Sequence, residues 1–167
     1  MQQFQVEKAV LGNHRMVTAK DVDIANDEIK VRIDKFAFTA NNITYGVMGE
    51  QLSYWDFFPA IGDQNKWGVL PVWGFAVVVA STLDSLPERE RMFGYFPPAT
   101  ELILRPEQVT DLRFHDVSEH RAHLPPAYNL YRRVIAEPDY NPALDANRRC
   151  TSLWSIEKGG PSRLLWS

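Results

Sequence analysis

Between Thr39 and Gly46 the chain reads Thr-Ala-Asn-Asn-Ile-Thr-Tyr-Gly, a concentration of amide, hydroxyl and phenol groups behind a strongly patterned strand. Asparagine amides donate to a developing oxyanion, and a phenol can protonate a neighbouring carbon or oxygen. Together Asn41, Asn42, Thr44 and Tyr45 carry the parts that complete a reduction begun by hydride transfer. The same residues also suit a structural task, because asparagine and threonine cap helices and hydrogen-bond their own backbone in turns. Further on, Gln51–Pro59 is unusually aromatic, and Tyr54, Trp55, Phe57 and Phe58 suit either the wall of an apolar pocket or plain core packing. A third cluster places His115, His120 and His123 with Asp116 and Glu119. Two imidazoles three residues apart on a helical turn can meet a metal, and the competing expectation is a polar, solvated connection. Neither G-x-G-x-x-G nor G-x-x-x-x-G-K-[ST] occurs, so no local phosphate loop is encoded.

The elements that must position these groups are mostly strands. In Glu28–Asp34 every second residue is β-branched and apolar while its neighbours are charged, which predicts a half-buried strand. Phe4 and Val6 alternate with polar residues, and Met16–Thr18 beyond the Gly12-Asn13 turn signal predicts their hairpin partner. The valine-rich run Trp73–Ala80 lacks alternation, as a central strand covered on both faces does. A charged turn over Ser85–Arg91 leads to short strands at Met92–Phe96 and Thr100–Leu104. At Pro126–Ile135 the apolar positions Tyr128, Leu130, Tyr131, Val134 and Ile135 read as one face of a helix with proline in its first turn. Residues past about Asn141 are poor in periodic apolar positions and read as a tail. The pattern is that of a small β-barrel or sandwich with one helix appended.

Composition bounds the function. At 167 residues the chain suits one domain with its own core. A formal charge of −3 lacks the basic excess that nucleic-acid binding demands. The single cysteine, Cys150, permits no internal disulfide, and a cytoplasmic location is expected. The N-terminus shows no signal-peptide pattern, and the longest apolar stretch, Trp67–Ala80, is too short and too interrupted by Pro71 and Gly74 to span a membrane as a helix.

The order of segments carries a resemblance. Ala40-Asn41-Asn42-Ile43-Thr44, then Pro71–Val78, then Arg91–Tyr95, then Leu102–Pro106 resembles a medium-chain dehydrogenase/reductase. Thr39–Tyr45 with Tyr54–Pro59 and Tyr95-Phe96-Pro97 is closer still to a bacterial family of unknown function distantly related to those enzymes. The resemblance spans roughly residues 1–143 and implies a GroES-like domain, a partly open β-barrel with one or two short helices that forms one side of a substrate cleft. It implies NAD(P) for full-length relatives, held by a Rossmann domain that this chain is expected to lack, so that it binds no cofactor alone. Zinc-dependent relatives place a cysteine at the position of Asn41 and a Gly-His-Glu motif where this chain has Gly74-Phe75-Ala76. With both ligand positions changed, the resemblance is to the zinc-free quinone and enoyl reductase branch, whose asparagine faces the nicotinamide. That implies a substrate or nicotinamide wall at Asn41, Asn42, Thr44 and Tyr45, with Tyr54, Trp55, Phe57 and Phe58 as substrate contacts.

The expected function is therefore the substrate-side domain of a zinc-independent NAD(P)-linked reductase, taking a small-molecule substrate once a Rossmann domain is supplied and giving no turnover alone. Residues 144–167, through Arg148–Ser155 and Gly159-Gly160-Pro161, depart from the family pattern, as a truncated or frameshifted gene would. The alternative is a free-standing binding or homo-oligomerisation module whose apolar face meets a partner or is covered by Leu153, Trp154, Leu164, Leu165 and Trp166. A metal enzyme built on the three histidines ranks last.

Overall fold

The computed structural model describes residues 1–134. The expectations for Cys150, Ile135, the tail over 144–167 and its Leu and Trp residues fall outside the described residues. In chain order the elements are β1 (Gln2–Glu7), β2 (His14–Thr18), β3 (Ile29–Ala37), α1 (Ala40–Val47), β4 (Trp67–Gly68), β5 (Val72–Ser81), β6 (Arg91–Phe96), β7 (Glu101–Leu104), β8 (Pro106–Glu107), β9 (Arg113–Asp116) and β10 (Leu130–Arg133). Single 3₁₀ turns lie at Tyr54–Asp56, Glu119–Arg121 and Pro126–Asn129.

The described residues are mainly β, with one α-helix and a nearly closed, barrel-like seven-stranded sheet in the order β7-β3-β5-β6-β10-β9-β8. A second sheet, β2-β1-β4, joins it where Gln3 bridges Ala99 and the Phe4 N–H donates to the Pro98 carbonyl at 2.9 Å. The predicted hairpin forms, with Phe4 opposite Met16 and Val6 opposite His14. Its buried side is not purely apolar: Gln3 and Gln5 are buried beside Val6, whereas Phe4 is only half-buried. The two amides are satisfied by each other and by the Pro59–Ile61 backbone, and so they pin the aromatic segment against β1.

Strand β5 is central, between β3 and β6, as its unbroken apolar run requires. Its side chains divide two cores by the period of two. Val72, Ala76 and Val78 join Ile29, Val31, Met92, Phe96, Leu104, Phe114 and Tyr131 in a largely aliphatic cluster. Trp73 and Phe75 join Tyr45, Trp55, Phe57, Phe58, Phe93 and Tyr95 in an aromatic one. Between the rings, Gly74 pairs with Gly94. A Cβ on Gly94 would enter the Tyr131 ring, and one on Gly74 would strike the Lys35 carbonyl where β3 is irregular against β5.

One element departs from expectation. The segment read as a helix over Pro126–Ile135 is a 3₁₀ turn followed by β10, which pairs with both β6 and β9. Four apolar side chains fit either period over so short a span. Tertiary pairing decides, because only the strand carries the Tyr131 ring into the core between β6 and β9, where its hydroxyl donates to the Tyr95 carbonyl at 2.7 Å.

The run Trp67–Ala80 supplies β4 and most of β5. Among the described residues no helix is long and apolar enough to cross a membrane.

Candidate functional site

Helix α1 begins where β3 leaves the sheet. The Asn42 side chain, at the third helical position, accepts the Thr39 backbone N–H at 2.6 Å and donates to the Pro71 carbonyl at 2.6 Å. One amide therefore caps the helix and ties it to the segment leading into β5. Asn42 is buried and fully occupied by that structural task.

One position earlier, Asn41 is exposed, and its amide donates to the Tyr45 hydroxyl one turn away at 2.8 Å. The Tyr45 ring turns inward. It lies 4.5 Å from the Tyr54 ring and 6.0 Å, edge-on, from Tyr95. Tyr95 packs against Trp73 at 5.0 Å, Phe57 at 5.3 Å and Tyr128 at 4.8 Å. Tyr54 and Tyr128, both half-buried, bring their hydroxyls within 3.4 Å of each other. The result is a basin of four phenols, one indole and one amide, walled by phenylalanine.

Burial chiefly pushes the Tyr45 phenol above its ordinary acidity range, opposed by the Trp73 indole, the Tyr95 hydroxyl and the Asn41 amide, which favour its anion. Tyr95 and Tyr128 are pushed up by burial too, so the basin is uncharged at neutral pH. Two donors in it are unusual. The Trp73 Nε1–H and the Tyr95 hydroxyl are buried, and both turn toward the Tyr45 oxygen. A phenol kept protonated, with donors arrayed around its oxygen, is suited to giving up a proton and stabilising what it leaves behind.

The structure brings together Asn41, Tyr45, Tyr54 and Phe57 from the residues the sequence singled out. Thr44 is exposed, and its hydroxyl makes no hydrogen bond among the described residues. Trp55 packs against backbone: Gly49 and Gly68 leave room for its indole, and Lys8 lies 5.8 Å over the ring. Phe58 sits under the Arg121 guanidinium, 4.9 Å away, and reaches Tyr95 from behind at 6.2 Å. Sequence reasoning missed Trp73, Tyr95 and Tyr128. The signal was present in Trp73-Gly74-Phe75 and Phe93-Gly94-Tyr95, two aromatic-glycine-aromatic runs that pair in register.

The histidine segment is arranged differently from either expectation. His115 lies on β9, His120 takes up the Phe57 backbone, which favours its cation against the burial and the Arg121 charge that lower its pKa, and His123 lies 3.7 Å from Asp56. Among the described residues no three His, Cys, Asp or Glu side chains are grouped to hold a metal ion. Nor is the connection merely solvated: Arg121 and Asp116 are buried and ion-paired, Arg121 Nη1 donates to Tyr131 at 3.1 Å, and Asp116 accepts from the Arg105 backbone and from Ser118. The burial of an ion-pair network lies beyond local periodicity.

Fold and site together define a mainly β, barrel-like domain with an uncharged aromatic basin at the start of its helix. The chain belongs to the family described as Protein of unknown function (DUF2855), whose model matches residues 36–156 and so includes α1, the aromatic segment and β5 to β10. No curated protein matches the chain.

Proposed function

We propose that the basin is the substrate-facing wall of a zinc-independent, NAD(P)-linked reductase, and that this domain is the GroES-like, substrate-side part of it. The carrying observation is Tyr45: its oxygen accepts from Asn41, while the Trp73 indole N–H and the Tyr95 hydroxyl also turn toward it. The substrate is an uncharged small molecule with a reducible carbonyl group. Asn41 and Tyr45 orient its oxygen, and Tyr45 delivers the proton. NAD(P)H, when bound, supplies the hydride.

The residues fit one side of a nicotinamide, through the Tyr45–Tyr54 ring pair and the exposed Asn41 amide, but not a pyrophosphate. Every strand pair among the described residues is antiparallel, so they contain no βαβ nucleotide unit. At the positions resembling zinc ligands stand Asn41, engaged with Tyr45, and Phe75 and Ala76, both buried without donor atoms. The single cysteine suits work in a reducing cytoplasm.

A titration of the protein with NADPH and with acetophenone, followed by thermal melting, tests this. The ketone raises the melting temperature and NADPH alone does not, because a ligand of the native state stabilises it. Micromolar NADPH binding would overturn the substrate-side assignment, and a ketone without effect would remove the wall.

A second reading, an assembly module, draws on a different observation. Phe36 at the end of β3, Phe38 between β3 and α1, Ile43 and Val47 on α1, and Leu52 beyond it are exposed hydrophobic residues. Sedimentation of the protein distinguishes it, since a module of that kind self-associates at micromolar concentration.

A further inference from the structure

Strand β7 ends the order of the seven-stranded sheet on one side and pairs with β3 alone. The Ile33 N–H donates to the Thr100 carbonyl at 3.0 Å. Antiparallel alternation from that bond turns the backbone groups of Leu102 and Leu104 toward β3 and those of Glu101 and Ile103 away from it. Among the described residues nothing bonds the outward N–H and C=O groups of Glu101 and Ile103. Just before them the same outer line is filled by main chain. There β1 runs antiparallel along it, with the Phe4 N–H on the Pro98 carbonyl and the Thr100 N–H on the Gln2 carbonyl, each at 2.9 Å. Beyond Thr100, Glu101 and Ile103 line a cavity of about 280 Å³ whose other sides are the start of the chain, Lys30 and residues 19–22.

We propose that the outer edge of β7 is a docking site for an extended peptide segment of a partner protein, which adds as a strand antiparallel to β7 and continues the line of β1. This goes beyond the reductase reading and does not depend on it. What the edge offers identifies the occupant. Open N–H and C=O groups two residues apart on one side of a strand are matched by extended main chain, which presents its own groups at that spacing. Of the four residues of β7 only Glu101 is charged and the rest are Leu or Ile, so the strand lacks the charges that usually protect an open edge. Side chains set the rest of the chemistry. Val22 is exposed, and with Leu102 and Ile103 it gives the cavity an apolar lining suited to a branched apolar side chain. Lys30 is engaged by Asp21 at 2.7 Å, and Lys20 and Glu101 balance each other, so the lining selects an uncharged segment.

The test is a ¹H–¹⁵N NMR titration of the protein with the peptide acetyl-Ser-Val-Thr-Val-Ser-amide and with the same peptide N-methylated throughout, which keeps the side chains and loses the donors. The unmodified peptide is expected to move the backbone amides of Glu101 and Ile103 downfield and to leave those of Leu102 and Leu104, already bonded to β3, nearly in place. The methylated peptide is expected to move neither pair. Ile103→Pro removes one outward donor on an edge strand, where proline is tolerated, and weakens binding roughly tenfold, the worth of one hydrogen bond. Val22→Asp alters only an exposed side chain, and its charge in the apolar lining is expected to weaken binding roughly as much. Unmoved Glu101 and Ile103 amides at millimolar peptide overturn the proposal. So does an equal shift along all of β7, or binding that both variants leave unchanged. Protection of the same two amides that grows with protein concentration in the absence of peptide overturns it as well, because it assigns the edge to a second copy of the chain.

Discussion

The two cores on either side of β5 and β6 are built from the same strands and differ in the polar groups they enclose. The aliphatic core contains one phenol, Tyr131, and it is fully engaged: it accepts from Arg121, donates to the Tyr95 carbonyl and stacks on Phe114 at 5.3 Å. The aromatic core contains Tyr45, Tyr95 and Trp73, whose hydroxyls and indole N–H converge around the Tyr45 oxygen with no charged group among them. Alternation along β5 and β6 sends each side chain to one core or the other, so a single sheet carries one interior locked to a buried ion pair and one built of uncharged rings.

Breaking the ion-paired side has the largest effect. Arg121 bridges the cores, ion-paired with buried Asp116, bonded to Tyr131 and lying over the Phe58 ring. Arg121→Met strands the Asp116 carboxylate, and a loss of about 3–5 kcal/mol in urea denaturation is expected. Next comes pH. Burial pushes the Tyr131 phenol up to about 12, and Tyr45, Tyr95 and Tyr128 move the same way. Above about pH 10 the unfolded chain gives up these phenol protons while the folded chain keeps them, so the folded state binds more protons and stability falls. Constant stability up to about pH 9, then a loss of order 2 kcal/mol from Tyr131 alone by pH 12, is the expected denaturation profile.

Much of the fold was legible, and the reason is period. Ile29 and Val31 point inward from β3, the β1–β2 hairpin closes at Phe4 and Met16, and β5 lies centrally, as alternation and its absence predicted. Half of the site was legible because Asn41 and Tyr45 are neighbours on one helical face. The rest depended on contacts that no local pattern encodes. Leu130 and Tyr131 form a strand because two strands flank them, and Gln3 and Gln5 are buried because the Pro59–Ile61 backbone meets them. Asp116 and Arg121 look like a solvated pair until the fold encloses them. Trp73 and Tyr95 become a site only through cross-strand register, which sets them side by side with glycines beyond them.

The most direct measurement removes one hydroxyl from each core. Tyr131→Phe and Tyr95→Phe delete the same atom, from a phenol that closes two hydrogen bonds and from one that only turns toward the Tyr45 oxygen. In urea denaturation at pH 7, Tyr131→Phe is expected to cost about 1–3 kcal/mol, because it leaves the Tyr95 carbonyl and an Arg121 N–H buried without a partner. Tyr95→Phe is expected to fall within about 0.5 kcal/mol of the parent or to be more stable. Equal losses in the two variants would contradict the difference between the cores, and with it the assignment of the aromatic basin as a binding site.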